Sequence, residues 1–383
     1  MSALAGRIRA KLFGGGIRRA VAGDGRGPRA LLLYTTAAFL PSTDSWRHQN
    51  VPQQRELAAA LAERGFTVDA VNHDETRGRL LREPYDLVVD LHPRARPLYR
   101  AHLAPGARRI AYITGSDPAF ANAAERARCA AIERRRGVRI VPRRQTPPFE
   151  EGVLRSFDAM FLIGGEATRA TYERHGVYAI HPLPNSGYDG QRATDPARRD
   201  SRRFLFLGGW GQAHKGLDLV LEVFAARPDL GLIVCSEVAR EPDFAAVYRR
   251  ELRGTPNIRA MGLVDVASPA FAELQAGCGA MVLPSCAEGQ AGTVTIALGF
   301  GLPCLVSREC GFDDPELDTL PDCGIETIAA HVERLAAGTP DELRARASGA
   351  RAVFDARYRP RHYAAAIRSA LDATLQSRAG GRA

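Results

Sequence analysis

Residues 282–307, VLPSCAEGQAGTVTIALGFGLPCLVS, decide the fold class of this chain. They continue an apolar run, 279–285, that is typical of a buried strand. A single acid, Glu288, and several small residues follow, and we expect a helix to begin near Gly292 or Thr293. Open α/β sheets bind ligands at the loops that leave the strands. The stretch therefore predicts a ligand-binding loop in which free helical N–H groups lie beside a carboxylate.

The alternation of strand and helix extends along most of the chain. Strands are predicted at 29–36, 66–72, 85–92, 108–116 and 157–165, with a helix at 53–65. The pattern restarts with strands at 203–209, 230–236, 258–264, 280–285 and 303–307 and helices at 216–228, 244–253 and 269–278. Strands and helices that alternate at this interval indicate βαβ units and parallel sheets.

A stretch rich in Pro, Gly and Asp, 181–201, separates the two series. Together with the length of 383 residues, it predicts an α/β fold with two Rossmann-like, doubly wound domains that face each other across a cleft. The predicted division is a basic extension at 1–27, a first domain at 28–185, a linker at 186–201, a second domain at 202–355, and a last helix with its tail at 356–383. Clefts between domains are preferred ligand sites.

Composition excludes several classes of protein. With 45% hydrophobic and 25% charged residues, the chain is typical of globular proteins. No apolar run reaches the roughly 18 residues that a membrane span needs, and the N-terminus lacks a signal-peptide core, so we expect a cytoplasmic protein. The seven cysteines show no CxxC spacing, which predicts buried thiols rather than disulfides or a structural metal.

Positive charge is concentrated in two segments. The net charge is +9, no acid precedes Asp24, and Arg is dense at 126–145. Nucleic acid is not the expected partner, because interleaved aromatic residues and known DNA-binding patterns are absent. An anionic membrane surface or a phosphorylated partner fits better, and residues 3–12 are predicted to form a short basic amphipathic helix on a membrane. The alternative is an arginine-rich surface without a binding role.

Two segments carry a resemblance to a known family: FLFLGGWGQAHKGLDLVLEVF at 204–224 and the stretch at 282–307. They resemble the GT-B glycosyltransferases of the retaining group usually called family 4. That family has a glycine turn before Lys-Gly, and later Pro-Ser-x-x-Glu-Gly before a helix that ends in x-Gly-x-Pro. The residues at those spacings are Gly209, Lys215, Gly216, Pro284, Ser285, Glu288, Gly289, Gly301 and Pro303. The first half of the chain matches mainly in pattern.

The resemblance implies a nucleotide-sugar donor bound by the second domain. The amides of Ala291, Gly292 and Thr293 would bind its pyrophosphate, since a helix N-terminus favours anions. Lys215 would stabilise the leaving nucleoside diphosphate, and Glu288 would hold the sugar near its anomeric carbon. Gly209 and Gly289 would belong to the same donor site. The alternatives are a solvated lysine and a glutamate that only caps a helix.

Two departures from the family alter the expected donor site. The family usually has a second glutamate that holds the ribose, and Ile296 stands at that position. It also usually has an arginine five residues before the lysine, where this chain has Trp210. We expect Trp210 to pack near the donor or to be a structural aromatic residue. Glu237, at the end of a predicted strand, is a candidate for holding the ribose, with an exposed acid as the alternative.

The acceptor side has several candidates. Asp117 and His92 are the candidates for taking or orienting the acceptor proton. His48, Gln49 and Asn50 are expected at the end of the first strand, facing the same cleft, and Ser116 precedes Asp117. Structural histidines remain the alternative for His48 and His92.

The predicted function is transfer of a sugar from a nucleotide sugar to an acceptor hydroxyl of a glycan or glycolipid, with retention of anomeric configuration. No cofactor or metal is expected, since no Asp-x-Asp motif occurs. Surface polysaccharide or glycolipid assembly, with the protein peripheral to the inner face of the membrane, is the expected context. The alternatives are a non-catalytic GT-B module that binds a sugar nucleotide or glycan, and an epimerase.

Overall fold

The computed structural model describes residues 16–41, 48–81, 84–93, 96–177 and 179–377. A first sheet of seven strands is ordered β1-β3-β2-β4-β5-β6-β7. Its strands are parallel except β1, which pairs antiparallel with β3. Their bounds are β1 Ile17–Ala22, β2 Arg29–Tyr34, β3 Thr67–Asn72, β4 Tyr85–Leu91, β5 Leu103–Ile113, β6 Ala159–Ile163 and β7 Ile180–Leu183.

Helices connect these strands, and local sequence explains where the longest one begins and ends. The helices are α1 Asn50–Ala62, α2 Arg96–Tyr99, α3 Pro118–Arg136 and α4 Glu166–Ala170. At the start of α3, the Asp117 carboxylate accepts hydrogen bonds from the N–H groups of Ala119 and Phe120, and Pro118 occupies the first turn. The helix ends at Gly137, whose φ of 69° is the left-handed conformation that favours glycine.

The second sheet has six parallel strands in the order β10-β9-β8-β11-β12-β13. The chain crosses to it between Leu183 and Asp200. The strands are β8 Asp200–Leu207, β9 Gly231–Cys235, β10 Ile258–Ala260, β11 Cys278–Leu283, β12 Cys304–Ser307 and β13 Asp318–Leu320. The helices are α5 Gln212–Lys215, α6 Leu217–Ala225, α7 Pro242–Val247, α8 Arg249–Gly254, α9 Pro269–Ala276, α10 Gly292–Gly299, α11 Ile325–Ala336, α12 Pro340–Val353 and α13 Pro360–Gln376.

The last helix returns to the first sheet. Buried residues Tyr363, Ile367 and Leu371 of α13 join the apolar core that β2, β4, β5 and α1 form. The hydroxyl groups of Tyr363 and Tyr112 lie 2.9 Å apart inside that core. The final segment of the chain therefore stabilises the half of the molecule that contains its beginning.

The two-sheet α/β architecture is the one that the sequence predicts, and several elements differ locally from the expectation. Ile17–Ala22, assigned to the basic extension, is an edge strand. The helix expected at 244–253 is two short helices that meet at Tyr248, and the strand expected at 258–264 ends at Ala260. Ile180–Leu183 pairs as a strand where the irregular stretch was expected to begin. The amphipathic helix expected at 3–12 lies outside the described residues.

Six of the seven cysteine thiols are buried and Cys323 is half-buried, and none forms a disulfide. Among the described residues, no helix combines the length and apolar character that crossing a membrane requires.

Candidate functional site

Two adjoining cavities occupy the cleft between the two sheets. The first has a volume of 460 Å³ and the second 380 Å³. Tyr34, Ile163 and Leu207, at the ends of β2, β6 and β8, line the first cavity, so the cleft lies at the carboxyl edges of both sheets. Both cavities share four lining residues: Thr114, Arg144, Trp210 and Glu288.

Lys215 and Glu288 form a buried ion pair where the cavities meet. The Lys215 ammonium donates a hydrogen bond to Glu288 Oε1, and the Ser285 hydroxyl donates to the same oxygen over 2.6 Å. Burial alone would raise the pKa of Glu288, but the charges of Lys215 and Arg144 outweigh it and lower that pKa to about 2. Glu288 is therefore ionised at neutral pH.

His214 lies beside this pair and is neutral. Burial, with the positive charge of Arg144 as a second cause, lowers the pKa of His214 to about 3. Its Nε2 lies 2.5 Å from the carbonyl oxygen of Ala287, so the neutral ring donates its proton there. This hydrogen bond holds the loop of Glu288 against α5, the short helix that carries Lys215.

The N-terminus of α10 opens into the first cavity. Gly292 and Thr293 line this cavity, and as first-turn residues their N–H groups have no helical acceptor. The helix begins at Gly292, as the sequence predicts. The expectation that Ala291 supplies a third amide is wrong, because its N–H donates to the carbonyl oxygen of Cys310 over 3.0 Å.

The glycine turn before Lys215 is held by a buried acid that the sequence analysis missed. The Glu241 carboxylate accepts hydrogen bonds from the N–H groups of Gly211 and Gln212, over 2.7 and 3.1 Å. The Ser236 hydroxyl and the Gln212 side chain donate to the carbonyl oxygen of Gly209. Because both ends of the turn are fixed, Gly209 presents its backbone to the first cavity in one conformation.

Trp210 lines both cavities and is 40% exposed. The Arg240 guanidinium lies 6.0 Å from its ring centroid, and Arg240 also pairs with Glu237 over 2.8 Å. Glu237 does not line either cavity. The expectation that Glu237 holds a ribose is therefore not supported by its position.

His48, Gln49 and Asn50 all line the first cavity, as expected for the end of the first strand and loop. The Gln49 amide donates to the carbonyl oxygen of Gly292 over 2.8 Å and to the Thr295 hydroxyl over 3.2 Å. This side chain therefore ties the first half of the molecule to α10 as well as lining the cavity.

His92 and Ser116 line the second cavity. His92 Nε2 lies 3.0 Å from the Thr114 hydroxyl, and its φ of 47° is a left-handed conformation. The Ser116 hydroxyl donates to the carbonyl oxygen of Glu288 over 2.5 Å. Ser116 therefore fixes the Glu288 backbone from the opposite half of the molecule.

Asp117 does not face the cleft, and the expectation that it takes an acceptor proton is wrong. Its side chain is fully buried at the start of α3. Beyond the helix N–H groups, it pairs with Arg174 and His175, each over 2.7 Å. These partners occupy the lone pairs that a general base would need.

Solved structures with the same architecture place this cleft in a known fold. Sucrose-phosphate synthase from Thermosynechococcus elongatus is 15% identical, with a TM-score of 0.64 over 91% of this chain and 99% of that one. HepE from Anabaena, in complex with UDP-glucose, is 13% identical, with a TM-score of 0.59 over 90% and 99%. The chain has the GT-B fold.

For other GT-B structures, the match covers a smaller part of the solved chain. S. aureus TarM, in complex with fondaparinux, alpha-GlcNAc-glycerol and UDP, is 13% identical with a TM-score of 0.55. The match covers 78% of this chain, which spans 57% of TarM. No protein-family model matches the sequence, and no curated protein matches it significantly.

The lining residues of the GT-B cleft that were not predicted include Arg144 and Gln290. Arg144 follows α3 in an irregular segment, and Gln290 bonds Asn185 across the halves, accepting from its N–H over 2.7 Å. The dense arginines at 126–145 were a signal for Arg144, although the sequence does not indicate which of these arginines faces the cleft. No group of three or more His, Cys, Asp or Glu side chains among the described residues is arranged to hold a metal ion.

Proposed function

We propose that the protein is a glycosyltransferase that moves a sugar from a nucleotide sugar to an acceptor hydroxyl, with retention of anomeric configuration. The observation that carries the proposal is the buried Lys215–Glu288 pair, which lies where two cavities meet beside the open N-terminus of α10. One cavity is suited to the donor and the other to the acceptor. The solved GT-B structures with UDP or UDP-glucose support a nucleotide-sugar donor.

On the donor side, the diphosphate would lie at Gly292 and Thr293. Free N–H groups and the helix dipole favour an anion there, by about 0.3–1 kcal/mol for each interaction. Lys215 adds a charged donor, and it would stabilise the diphosphate as the glycosidic bond breaks. Glu288, ionised and held by Ser285, would face the sugar, where positive charge develops at the anomeric carbon.

The acids of the cleft support retention. Glu288 is the one carboxylate among the described residues that line either cavity, and it is paired with Lys215. An inverting reaction needs a general base on the acceptor side, opposite the leaving group; no unpaired carboxylate among the described residues lines the second cavity, and the Nε2 of the candidate His92 is engaged by the Thr114 hydroxyl. Front-side attack needs none, because the departing diphosphate takes the acceptor proton.

The charge of the chain supports an anionic acceptor environment. Arg is dense at 126–145, the end of that segment lines the second cavity, and the net charge is +9. We propose a glycan or glycolipid acceptor that carries phosphate or lies at an anionic membrane surface.

The proposal is tested in two steps. The melting temperature is measured with a panel of nucleoside diphosphates and their sugars, because a ligand bound by the folded state raises it. The donor that is found is then incubated with candidate acceptors, and the anomeric configuration of the product is read by NMR. Stabilisation without sugar transfer would instead favour the non-catalytic module. An inverted product would contradict retention.

A further inference from the structure

Arg144 has no partner for its guanidinium group in the part of the chain that the structure describes. It is half-buried, and no hydrogen bond or ion pair within those residues engages its side chain. A guanidinium has five N–H donors and stays charged, so the Arg144 side chain has donors left for a ligand that enters the cleft. Arg144 lines both cavities of the cleft.

The segment that carries Arg144 is fixed at several points. The buried Glu125 carboxylate of α3 accepts hydrogen bonds from the N–H groups of Arg143 and Arg144, over 2.8 and 2.9 Å. Two residues further on, the Thr146 N–H donates to the side-chain oxygen of Asn122, also on α3. Arg143 pairs with Asp243 in the other half of the molecule. The backbone of Arg144 is therefore held, and its side chain is presented to the cleft.

The side chain crosses the glycine turn of the opposite half. A Cβ at Gly211 would lie 2.6 Å from Cδ of Arg144 and 2.8 Å from its Cγ. A side chain at position 211 would therefore have to displace Arg144. The charge of Arg144 also acts on Glu288 and His214, lowering the pKa of each, so the guanidinium lies close to the ion pair.

The charged side chains described in the first cavity carry less positive charge than a diphosphate carries negative charge. Among the described residues, the lining of this cavity contains one lysine and one arginine, Lys215 and Arg144. Lys215 is already paired with Glu288, the one acid among the described lining residues. A diphosphate carries more than one negative charge, so a cation that is not neutralised within the protein would favour its binding beside the N–H groups of α10. Trp210, the neighbour of Gly211, carries no charge.

We propose, resting on the proposed function, that Arg144 binds the diphosphate of the donor from the half of the molecule opposite Lys215. Its planar fork binds two phosphate oxygens at once, and it stabilises the charge that grows on the leaving group. The diphosphate then links residues of both halves, so that the donor holds the cleft together.

Isothermal titration calorimetry with UDP, GDP, ADP and dTDP tests this role. For the nucleotide that the wild type binds, Arg144→Gln should weaken affinity by about 10- to 100-fold, as loss of hydrogen bonds to a charged group does. Affinity for the corresponding nucleoside should not change. Arg139→Gln, which removes the same charge from an exposed position on the same segment, should have little effect. Arg144→Lys should restore part of the affinity, since it keeps the charge and loses the fork.

The outcomes separate this inference from the proposed function. If the wild type binds none of the nucleotides, the proposed function fails and the role of Arg144 with it. If the wild type binds a nucleotide and Arg144→Gln binds it equally well, only the role of Arg144 is overturned. If in addition Arg144→Gln raises only the KM for an acceptor, the guanidinium belongs to the second cavity. If Arg139→Gln weakened nucleotide affinity as much as Arg144→Gln does, the loss would come from long-range charge, and direct binding of the diphosphate by Arg144 would be overturned.

Discussion

Glu288 brings a negative charge into a site that must also accept a diphosphate, so its removal should separate binding from catalysis. In Glu288→Gln, Lys215 loses its partner and is free to bind phosphate. We expect the affinity for the nucleoside diphosphate to stay the same or increase. Turnover should fall on the order of 10²- to 10³-fold, as when one group that stabilises a transition state is lost.

The measurement is kcat beside the Kd for the diphosphate. Glu237→Gln is the matched control, because Glu237 does not line either cavity. If Glu288→Gln weakened diphosphate binding and left kcat unchanged, the carboxylate would have a binding role and no catalytic one.

His214 makes stability depend on pH in a window above the range of ordinary acid unfolding. Its pKa is about 3 in the folded protein, lowered by burial, and about 6.5 when unfolded. The unfolded chain therefore binds a proton first as pH falls below about 6.5, and the folded state loses stability progressively until about pH 3. At pH 5 this linkage amounts to roughly 2 kcal/mol.

Urea unfolding of the wild type and of His214→Gln at pH 7 and pH 5 measures this effect. Gln keeps a donor for the carbonyl oxygen of Ala287 and does not titrate. The free energy of unfolding should fall by about 2 kcal/mol more in the wild type than in the variant. Parallel losses in the two proteins would show that His214 is charged or exposed in the folded state.

At the scale of elements, α10 shows what local sequence can and cannot predict. Small residues after Glu288 and an apolar run beyond them placed the helix start near Gly292 or Thr293, and it lies at Gly292. The same residues did not show that the Ala291 N–H donates a hydrogen bond to the carbonyl oxygen of Cys310. That carbonyl lies 19 positions later in the chain and comes close to Ala291 only in the folded protein. Similarly, the sequence showed Asp117 as an acid but did not show its partners Arg174 and His175.

One face of α10 predicts how the nucleoside is selected. Gly292, Thr293 and Ile296 line the first cavity. Ile296 therefore lies on the same face of α10, one helical turn after the proposed phosphate site. In the family that the sequence resembles, an acid at this position holds the ribose. We expect this chain to bind UDP and 2′-deoxy-UDP with similar affinity, provided that UDP is its nucleotide, and Ile296→Glu to favour UDP. Calorimetry compares the two ligands, and a strong wild-type preference for UDP would contradict the expectation.

The glycine turn between β8 and α5 should depend on Gly211 through Arg144. Its φ of 91° and the closeness of Arg144 both oppose a side chain. Gly211→Ala should weaken diphosphate binding by displacing Arg144, and Gly211→Ala with Arg144→Gln should bind no more weakly than the more affected single variant. This double-mutant cycle is measured by calorimetry. Fully additive losses would show that the two residues act independently.

At the scale of the molecule, the sequence predicted two parallel sheets because βαβ alternation is local and repeated. It did not predict the contacts that join them. Residues 138–149 have no periodicity, yet they bring Arg143 to Asp243 and Arg144 to Gly211. A last helix with its tail was expected at 356–383 and the helix lies at Pro360–Gln376, but its amphipathic pattern does not say which sheet it covers. Long-range contacts of this kind depend on the assembled fold rather than on neighbouring residues.

The return of α13 to the first sheet makes the C-terminus a determinant of stability at the other end of the chain. Leu371 is fully buried there, and Leu375 of the same helix is only partly buried. Leu371→Ala should lower the free energy of unfolding by about 2–5 kcal/mol, and Leu375→Ala by less, because truncation at a fully buried site leaves a cavity. In hydrogen exchange, β2 and β5 should lose protection in Leu371→Ala while β8 and β11 keep theirs, since α13 packs on the first sheet. Equal loss in both sheets would show that the halves unfold as one unit.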